Sequence, residues 1–240
     1  MISKNEIKYI QTLFHKKTRD TEGLFIAEGV KLVNELIESD FAVKKIYATE
    51  GWAALHAHLN TVQIVQGYQL EKISNLANPN QVLAVVEQKK ILKEPSLTGT
   101  ITLVLDGIQD PGNLGTIIRI ADWFGIKQII ASTDTADMYN PKVVQSTMGS
   151  IIRINVWYKD LPSFLSNCSV PVYGALLNGS NLYYIEKINE AVLVIGNESK
   201  GIREQILPFI KHPVTIPKIG GAESLNAAVA TGIILSHLIK

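Results

Sequence analysis

Three polar side chains, Glu223, Ser224 and Asn226, lie at the N-terminus of the last helix that the sequence predicts. Unpaired backbone N–H groups gather at a helix N-terminus, and one polar side chain is enough to cap it. Three such side chains are more than a cap requires. This stretch therefore indicates half of an active site, and we expect the other half upstream.

Two upstream loops are candidates for that second half. Loop 106–115 contains Asn113 and three glycines, which permit close approach of the backbone to a ligand, and it leads into a helix that carries Arg119. Arg119 lies opposite the apolar stripe of this helix and is free to meet solvent or substrate. Loop 196–201 reads Gly-Asn-Glu-Ser-Lys-Gly and contains Glu198.

Structural interpretations of the same residues stay open at this point. Asn113 is also a suitable helix cap, and Arg119 a suitable solvated charge. Glu198 or Ser199 equally suits the first turn of a following helix. Loop 196–201 matches neither the phosphate-binding nor the dinucleotide-binding glycine pattern, so an unrelated nucleotide-using α/β enzyme is disfavoured.

The second half of the chain alternates apolar strands with helices. The predicted strands are 101–105, 128–131, 152–156, 170–177, 191–195 and 214–216, and the predicted helices lie near 115–124, 141–148, 160–166, 202–209 and 224–238. Strands without polar alternation are covered on both faces, which predicts an α/β fold with a mostly parallel sheet. Ligands of such sheets bind beyond the carboxyl ends of the strands, where the three loops belong.

The first half of the chain predicts a smaller mixed α/β domain. Strands at 24–27, 43–48, 62–65 and 82–86 alternate with helical stretches. A polar segment with Pro and Gly follows, so we divide the chain into domains 1–92 and 101–240 with a linker at 93–100.

Composition limits the class of protein. The 240 residues are 46% hydrophobic and 19% charged with a net charge of +1, so any nucleic-acid site must be a local basic patch. One cysteine excludes an intrachain disulfide framework, and five scattered histidines predict no metal site. No apolar run approaches the ~18 residues of a membrane span, so we expect a soluble cytoplasmic protein.

The three loops, taken in order, resemble one family closely. They read D-P-G-N-L-G-T-I-I-R-I-A-D-W-F-G, I-G-N-E-S-K-G-I and I-P-K-I-G-G-A-E-S-L-N-A-A-V-A. These motifs are similar to those of the SpoU (TrmH-like) RNA ribose 2′-O-methyltransferases of the SPOUT superfamily. The resemblance spans residues 101–240, and more loosely the N-terminal part looks like the substrate-binding domain of many members.

The resemblance implies a fold and a cofactor. It implies helices on both faces of the catalytic sheet, a deep C-terminal trefoil knot and a homodimer whose active site is completed across the interface. It also implies S-adenosyl-L-methionine as the methyl donor, bound largely through backbone groups. The matching cofactor-binding positions are Leu176, Gly196, Ile216 and Leu225.

The resemblance also implies roles for the catalytic candidates, which are Asn113, Arg119, Glu198, Ser224 and Asn226. It gives the central role to Arg119, as the base or as a stabiliser of charge; a guanidinium is effectively always protonated, which favours the stabiliser. The others position Arg119, the ribose and the cofactor. Ile120, Lys218 and Ala227-Ala228 depart from the family pattern, yet no candidate side chain is lost.

RNA contact must come from local charge. Lys16, Lys17 and Arg19 belong to a basic N-terminal segment and are the candidate RNA-binding residues, although a solvated surface explains them equally well. The leading hypothesis is methyl transfer to a ribose 2′-hydroxyl of ribosomal or transfer RNA. The alternative is a catalytically inactive RNA-binding module on the same fold.

Overall fold

A computed structural model, which describes residues 2–240, divides the chain into two compact units. The first contains the residues up to Lys90 together with Asp137–Ile152, and the second contains Ile91–Ala136 and Arg153–Lys240. The segment Asp137–Ile152 therefore packs with the N-terminal residues, whereas the sequence placed it in the domain 101–240. Its burial against a distant strand could not be seen in its own periodicity.

Nine helices and ten strands are present in the described residues. The helices are α1 (Lys4–Thr12), α2 (Lys16–Glu22), α3 (Val30–Ile37), α4 (Glu50–Leu55), α5 (Gly67–Ile73), α6 (Pro111–Trp123), α7 (Pro141–Ser146), α8 (Leu161–Ser166) and α9 (Ala227–Leu238). The strands are β1 (Leu24–Glu28), β2 (Val43–Ala48), β3 (Val62–Ile64), β4 (Val82–Glu87), β5 (Ile101–Asp106), β6 (Gln128–Ser132), β7 (Asn155–Lys159), β8 (Val172–Asn181), β9 (Ala191–Gly196) and β10 (His212–Thr215).

The first unit is built on a four-stranded mixed sheet in the order β1-β4-β2-β3. Strand β4 runs antiparallel to both β1 and β2, and β3 runs parallel to β2. Its core contains Ile10 and Leu13 from the N-terminal segment, packed with Ile26 and Leu83 from the sheet. Helix α7 contacts β1, which accounts for its membership of this unit.

The second unit is built on a six-stranded sheet in the order β10-β8-β9-β5-β6-β7, in which every neighbouring pair is parallel. Strands β5 and β6 are buried along their whole length. The predicted α/β class and mostly parallel sheet are confirmed. Helices α6 and α9 pack against each other, where Ile120 lies against Gly232.

Several helices of this chain begin with the same device, a polar cap followed by proline. Asp110 accepts a hydrogen bond from the backbone of Asn113, and Asp160 accepts one from Ser163. Asn140 caps α7 in the same way. The capping side chain satisfies an orphan N–H, and proline at the first turn sacrifices no hydrogen bond.

Three local predictions were wrong. The helix predicted at 202–209 is only a short 3-10 turn, Leu207–Phe209, because the Arg203 N–H donates to Asp106 instead and Pro208 has no N–H. The strand predicted at 152–156 begins at Asn155. Helix α2 was not predicted, because its residues show no apolar period.

No helix within residues 2–240 has the length and apolar character needed to cross a bilayer.

Candidate active site

The three loops predicted to converge are joined by hydrogen bonds. The Asn113 side-chain amide donates to the Glu198 carboxylate over 2.9 Å. The Asn226 amide donates to the Asn113 side-chain oxygen over 2.8 Å. Asn113 therefore links the loop after β9 to the N-terminus of α9. Asp110, not Asn113, caps α6, so the Asn113 side chain is free for this role.

These hydrogen bonds have a fixed direction. The Asn226 side-chain oxygen accepts from the backbone N–H groups of Ala228 and Val229 at the start of α9. Its NH₂ group must then face Asn113, which turns the Asn113 NH₂ group toward Glu198. The N-terminus of α9 thus sets the orientation of both amides, and Glu198 receives the last donor of the series.

A second set of contacts holds the loop that carries Glu198. The Asn197 side chain donates to the Gly107 carbonyl over 2.6 Å and accepts from the backbone of Ser199 and Lys200. Its backbone pairs with Gly201 in both directions. The loop between β9 and the following segment is therefore closed on itself and attached to the end of β5.

An ion pair at the carboxyl end of β5 was missed by the sequence analysis. Asp106 is fully buried, and its carboxylate accepts from the Arg203 backbone N–H over 2.8 Å and from the Arg203 guanidinium. Asp134 lies 3.5 Å from the same guanidinium. The available signal was the position of Asp106 at the end of a buried strand, but nothing in the sequence paired it with Arg203.

These contacts shift two pKa values. Burial lowers the pKa of Arg203, but the hydrogen bond and charge of Asp106 outweigh it, so the net shift is upward. The Ser132 hydroxyl, which donates to Asp134, and then the Arg203 charge lower the pKa of Asp134. Both groups are therefore charged at neutral pH.

Arg119 and Ser224 do not belong to the hydrogen-bonded set. Both side chains are exposed, and neither side chain makes a hydrogen bond or ion pair with any residue from 2 to 240. Arg119 projects from the second half of α6, beyond Asn113. Its guanidinium is open to an anionic group from outside the chain.

Three of the predicted cofactor positions lie in or beside strands β8, β9 and β10, and Leu225 lies in the loop before α9. Gly196 ends β9, Ile216 follows β10, and both are half-buried, whereas Leu225 is exposed. Leu176 is half-buried in β8, where the pairing register with β10 jumps from Gly174 to Ser180. Residues 175–179 therefore lie outside the β8–β10 ladder, at the edge where ligands of parallel sheets bind.

Gly196 lies where no side chain fits. A Cβ atom placed on it would lie 2.3 Å from the Gly201 carbonyl carbon and 2.4 Å from the Ile202 nitrogen. The backbone after the loop thus passes directly over the end of β9. This close approach leaves backbone groups, not side chains, to line that part of the site.

The predicted RNA-binding residues divide into two kinds. Lys16 and Lys17 are exposed, and Lys16 forms an i,i+4 ion pair with Asp20. Arg19 is 1% exposed, pairs with Asp137 and donates to the backbone carbonyl groups of Leu13 and Phe14. Its assignment as an RNA-binding residue was wrong, because no donor face of the buried guanidinium reaches solvent.

Within residues 2–240, no three His, Cys, Asp or Glu side chains cluster as metal ligands would.

Comparison with known proteins identifies the family of this chain. The model of the SpoU rRNA Methylase family matches residues 100–236, and that of the MRM3-like substrate binding domain matches residues 4–84. The chain belongs to the SpoU rRNA methylase family. The family match contains all three loops that meet at Asn113, Glu198 and Asn226.

Relatives of this SpoU family member match over nearly their full length. The 23S rRNA (guanosine(2553)-2′-O)-methyltransferase RlmP of Bacillus subtilis is 34% identical, with 98% of this chain and 97% of the relative covered. A crystal structure of an AdoMet-bound rRNA methyltransferase from Sinorhizobium meliloti has a TM-score of 0.87 at 32% identity, covering 99% and 96% of the two chains. The SpoU methyltransferase AviRb from Streptomyces viridochromogenes, in complex with AdoMet, has a TM-score of 0.86 at 25% identity, covering 98% and 97%.

Proposed function

We propose that this protein transfers a methyl group from S-adenosylmethionine to a ribose 2′-hydroxyl of ribosomal RNA. The observation that carries the proposal is the directed series of hydrogen bonds from Asn226 through Asn113 to Glu198. It joins the three family motifs in one site. Relatives that match over nearly the whole chain are named as 23S rRNA 2′-O-methyltransferases, which supports ribosomal over transfer RNA.

The residues present fit S-adenosylmethionine, which supplies an electrophilic methyl group on a sulfonium when bound. The cofactor needs polar groups for its amino-acid end, its ribose hydroxyls and the edge of its base, and apolar contacts for the faces of the adenine ring. Polar backbone groups are available in the irregular segment 175–179 and at the end of β9, where Gly196 leaves no room for a side chain. Apolar contacts are available from the side chains of Leu176, Ile216 and Leu225. Two related structures were solved with AdoMet bound.

Arg119 acts on the RNA side of the reaction. A ribose hydroxyl is a poor nucleophile, and it develops negative charge as it attacks the methyl group. An exposed guanidinium without an internal partner is available to hold the neighbouring phosphate and to stabilise that charge. A guanidinium is effectively always protonated, which argues against a role as proton acceptor.

Asn113, Glu198 and Asn226 act as positioning groups. Each amide is oriented by the one before it, so Glu198 is held in place by a donor fixed to the α9 N-terminus. Glu198 then has lone pairs left to accept from a substrate hydroxyl or to orient a guanidinium. Ser224, exposed in the adjoining loop, completes this group by contacting RNA or cofactor.

We also propose that the active protein is a homodimer. The Arg119 guanidinium on α6 makes no hydrogen bond or ion pair within residues 2–240. Exposed apolar side chains lie on α6 and α9, namely Trp123 and Val229. A second copy covering these helices would bury them and bring its own groups to Arg119.

We also propose that this chain has the C-terminal trefoil knot of the family. Two places where backbone segments approach each other closely support this proposal. A Cβ atom on Gly179 would lie 2.6 Å from the Pro213 carbonyl carbon, and Gly196 is similarly crowded by Gly201 and Ile202. Strand β10 is thus pressed against the C-terminal part of β8, and the segment before β10 is pressed against the end of β9.

RNA binding is proposed for the N-terminal domain, residues 1–92. Its match to a substrate-binding domain and the exposed Lys16 and Lys17 support this role. A cytoplasmic location stays a prediction of the sequence. The inactive RNA-binding module is not supported, because the candidate side chains are present and the relatives are named as methyltransferases.

The proposal is tested by mass mapping of 23S rRNA from cells with and without this protein. One 2′-O-methylated nucleotide should be lost in its absence and restored in vitro by the purified protein with S-adenosylmethionine. Unchanged ribosomal and transfer RNA would refute the proposed activity.

A further inference from the structure

The first unit contains a cavity of about 280 Å³ that borders a buried carboxylate. Its walls are formed by Ile26, Glu28, Asn75, Leu76, Val144, Gln145 and neighbouring residues of α7. All of these residues belong to the first unit, and none belongs to the three loops of the active site. The volume lies just below the ~300–1,000 Å³ of sites for drug-sized molecules, so it suits a single small ring system.

Within residues 2–240 the Glu28 carboxylate forms no ion pair, although Lys142 also lines the cavity. The residue is 6% exposed, and within residues 2–240 its carboxylate accepts only from the Ser74 hydroxyl and, over 2.9 Å, from the Asn75 backbone N–H. Burial raises the pKa of Glu28 in spite of these two hydrogen bonds. A buried carboxylate without a counter-charge is costly, and each of its oxygens can accept a further hydrogen bond.

The remaining walls define which ligand would complement this carboxylate. Ile26, Leu76 and Val144 provide apolar surface for a flat ring. Gln145 adds an amide that both donates and accepts. The complementary group is a planar ring with two adjacent N–H donors on one edge and an acceptor beside them.

We propose that this cavity binds one guanine base of the RNA substrate. Guanine presents N1–H and N2–H₂ to a carboxylate, and O6 beside them to an amide. No other common RNA base has two adjacent donors on that edge. This inference rests on the proposed RNA methylation. The site would recognise a guanine in the first unit and takes no part in the methyl-transfer chemistry of the second unit. Unpaired bases of RNA loops are read in this way, by ring contact and hydrogen bonds to the Watson–Crick edge.

Titration of the full-length protein with single nucleotides, in the absence of RNA and cofactor, tests the proposal. GMP should bind at least about tenfold tighter than IMP, which lacks the 2-amino group, and tighter than AMP, CMP and UMP. The Glu28→Gln variant keeps the size of the side chain, but its NH₂ group would face an N–H group of guanine. This variant should therefore lose the preference for GMP. The Glu71→Gln variant, changed at an exposed carboxylate of the same unit, should bind GMP like the wild type.

A second variant guards against loss of folding in Glu28→Gln. Gln145→Ala leaves the contacts of Glu28 with Ser74 and Asn75 intact and should weaken GMP binding by removing the partner of O6. Equal binding of all nucleotides, absence of saturable GMP binding at millimolar concentration, or unchanged GMP binding by a folded Glu28→Gln variant would each overturn the proposal.

Methyl transfer separates this inference from the proposed function. If the guanine site exists, Glu28→Gln raises KM for RNA while kcat and S-adenosylmethionine affinity stay at wild-type values. A wild-type protein that binds GMP selectively but does not methylate RNA would refute the proposed activity and leave the guanine site standing.

Discussion

The side-chain amide of Asn226 donates to the side-chain oxygen of Asn113 across 113 residues of sequence. Because the Asn226 oxygen is occupied by the first backbone N–H groups of α9, the direction of this hydrogen bond is set by the helix itself. Asn113 passes that orientation on to Glu198. The catalytic geometry that we propose for the second unit therefore depends on which way two amides face.

An Asn226→Asp substitution separates capping from orientation. Aspartate caps a helix as well as asparagine does, so stability should change little. It cannot donate to Asn113, whose amide would turn and release Glu198, and methyl transfer should fall about 10²-fold. Asn140→Asp, at a cap of α7 outside the site, should change neither activity nor unfolding. Full activity of Asn226→Asp would show that the orientation of the amides does not matter.

Gly196→Ala should damage the fold and cofactor binding together. The new methyl group would meet backbone atoms of Gly201 and Ile202, which cannot move aside as a side chain would. Overpacking of this kind costs about 1–3 kcal/mol. Gly67→Ala, in α5 of the first unit, is the matched control, because nothing lies within 4 Å of its Cβ position. Urea denaturation and calorimetry with S-adenosylmethionine measure both effects; wild-type values for Gly196→Ala would mean that the close passage at β9 is absent.

Arg203→Ala should be strongly destabilising. It leaves the fully buried Asp106 carboxylate without its cation, and loss of one member of a buried pair costs about 3 kcal/mol. Arg153→Ala removes a cation from the more exposed Asp122 and should cost less than about 1 kcal/mol. Equal denaturation midpoints for the two variants would contradict the assigned role of Asp106.

Glu6 predicts a pH dependence of stability in the first unit. Burial raises the pKa of Glu6, but hydrogen bonds from Lys45 and Tyr47 outweigh it and lower the pKa below its ordinary value of 4.5. The unfolded chain therefore binds more protons in this range, so the stabilisation is complete above the unfolded pKa and is lost as the pH falls through the folded pKa.

Thermal unfolding of Glu6→Gln against pH checks this expectation. At pH 7 the variant should be about 1 kcal/mol less stable than the wild type, and the difference should vanish at a pH below the folded pKa. Glu71→Gln, at an exposed carboxylate of α5, should give the wild-type profile. A difference that persists unchanged into acid would assign the loss to packing and not to charge.

The sequence was most informative where a residue's role follows from its own neighbours. Apolar runs predicted the six parallel strands, and their ends predicted that Asn113, Glu198 and Asn226 meet. The same reasoning did not give the direction of the amide hydrogen bonds, because that depends on α9 beginning one residue after Asn226.

Long-range partners account for the failures. Arg19 was taken for a surface cation because its neighbours are polar, yet it is buried by Asp137, 118 residues away. Arg203 was placed in a predicted helix, whereas its backbone and side chain both bind Asp106. Charge and periodicity are local properties of a sequence, and neither reveals a distant ion-pair partner.

The most direct test of methyl transfer at this site is a single-turnover measurement with the Arg119→Ala variant. We expect this variant to bind S-adenosylmethionine with wild-type affinity and to keep the wild-type free energy of unfolding, because the exposed Arg119 side chain has no partner within residues 2–240. Transfer of labelled methyl to 23S rRNA should fall about 10²–10³-fold. Transfer at the wild-type rate by Arg119→Ala would contradict the central claim that Arg119 stabilises the reacting ribose.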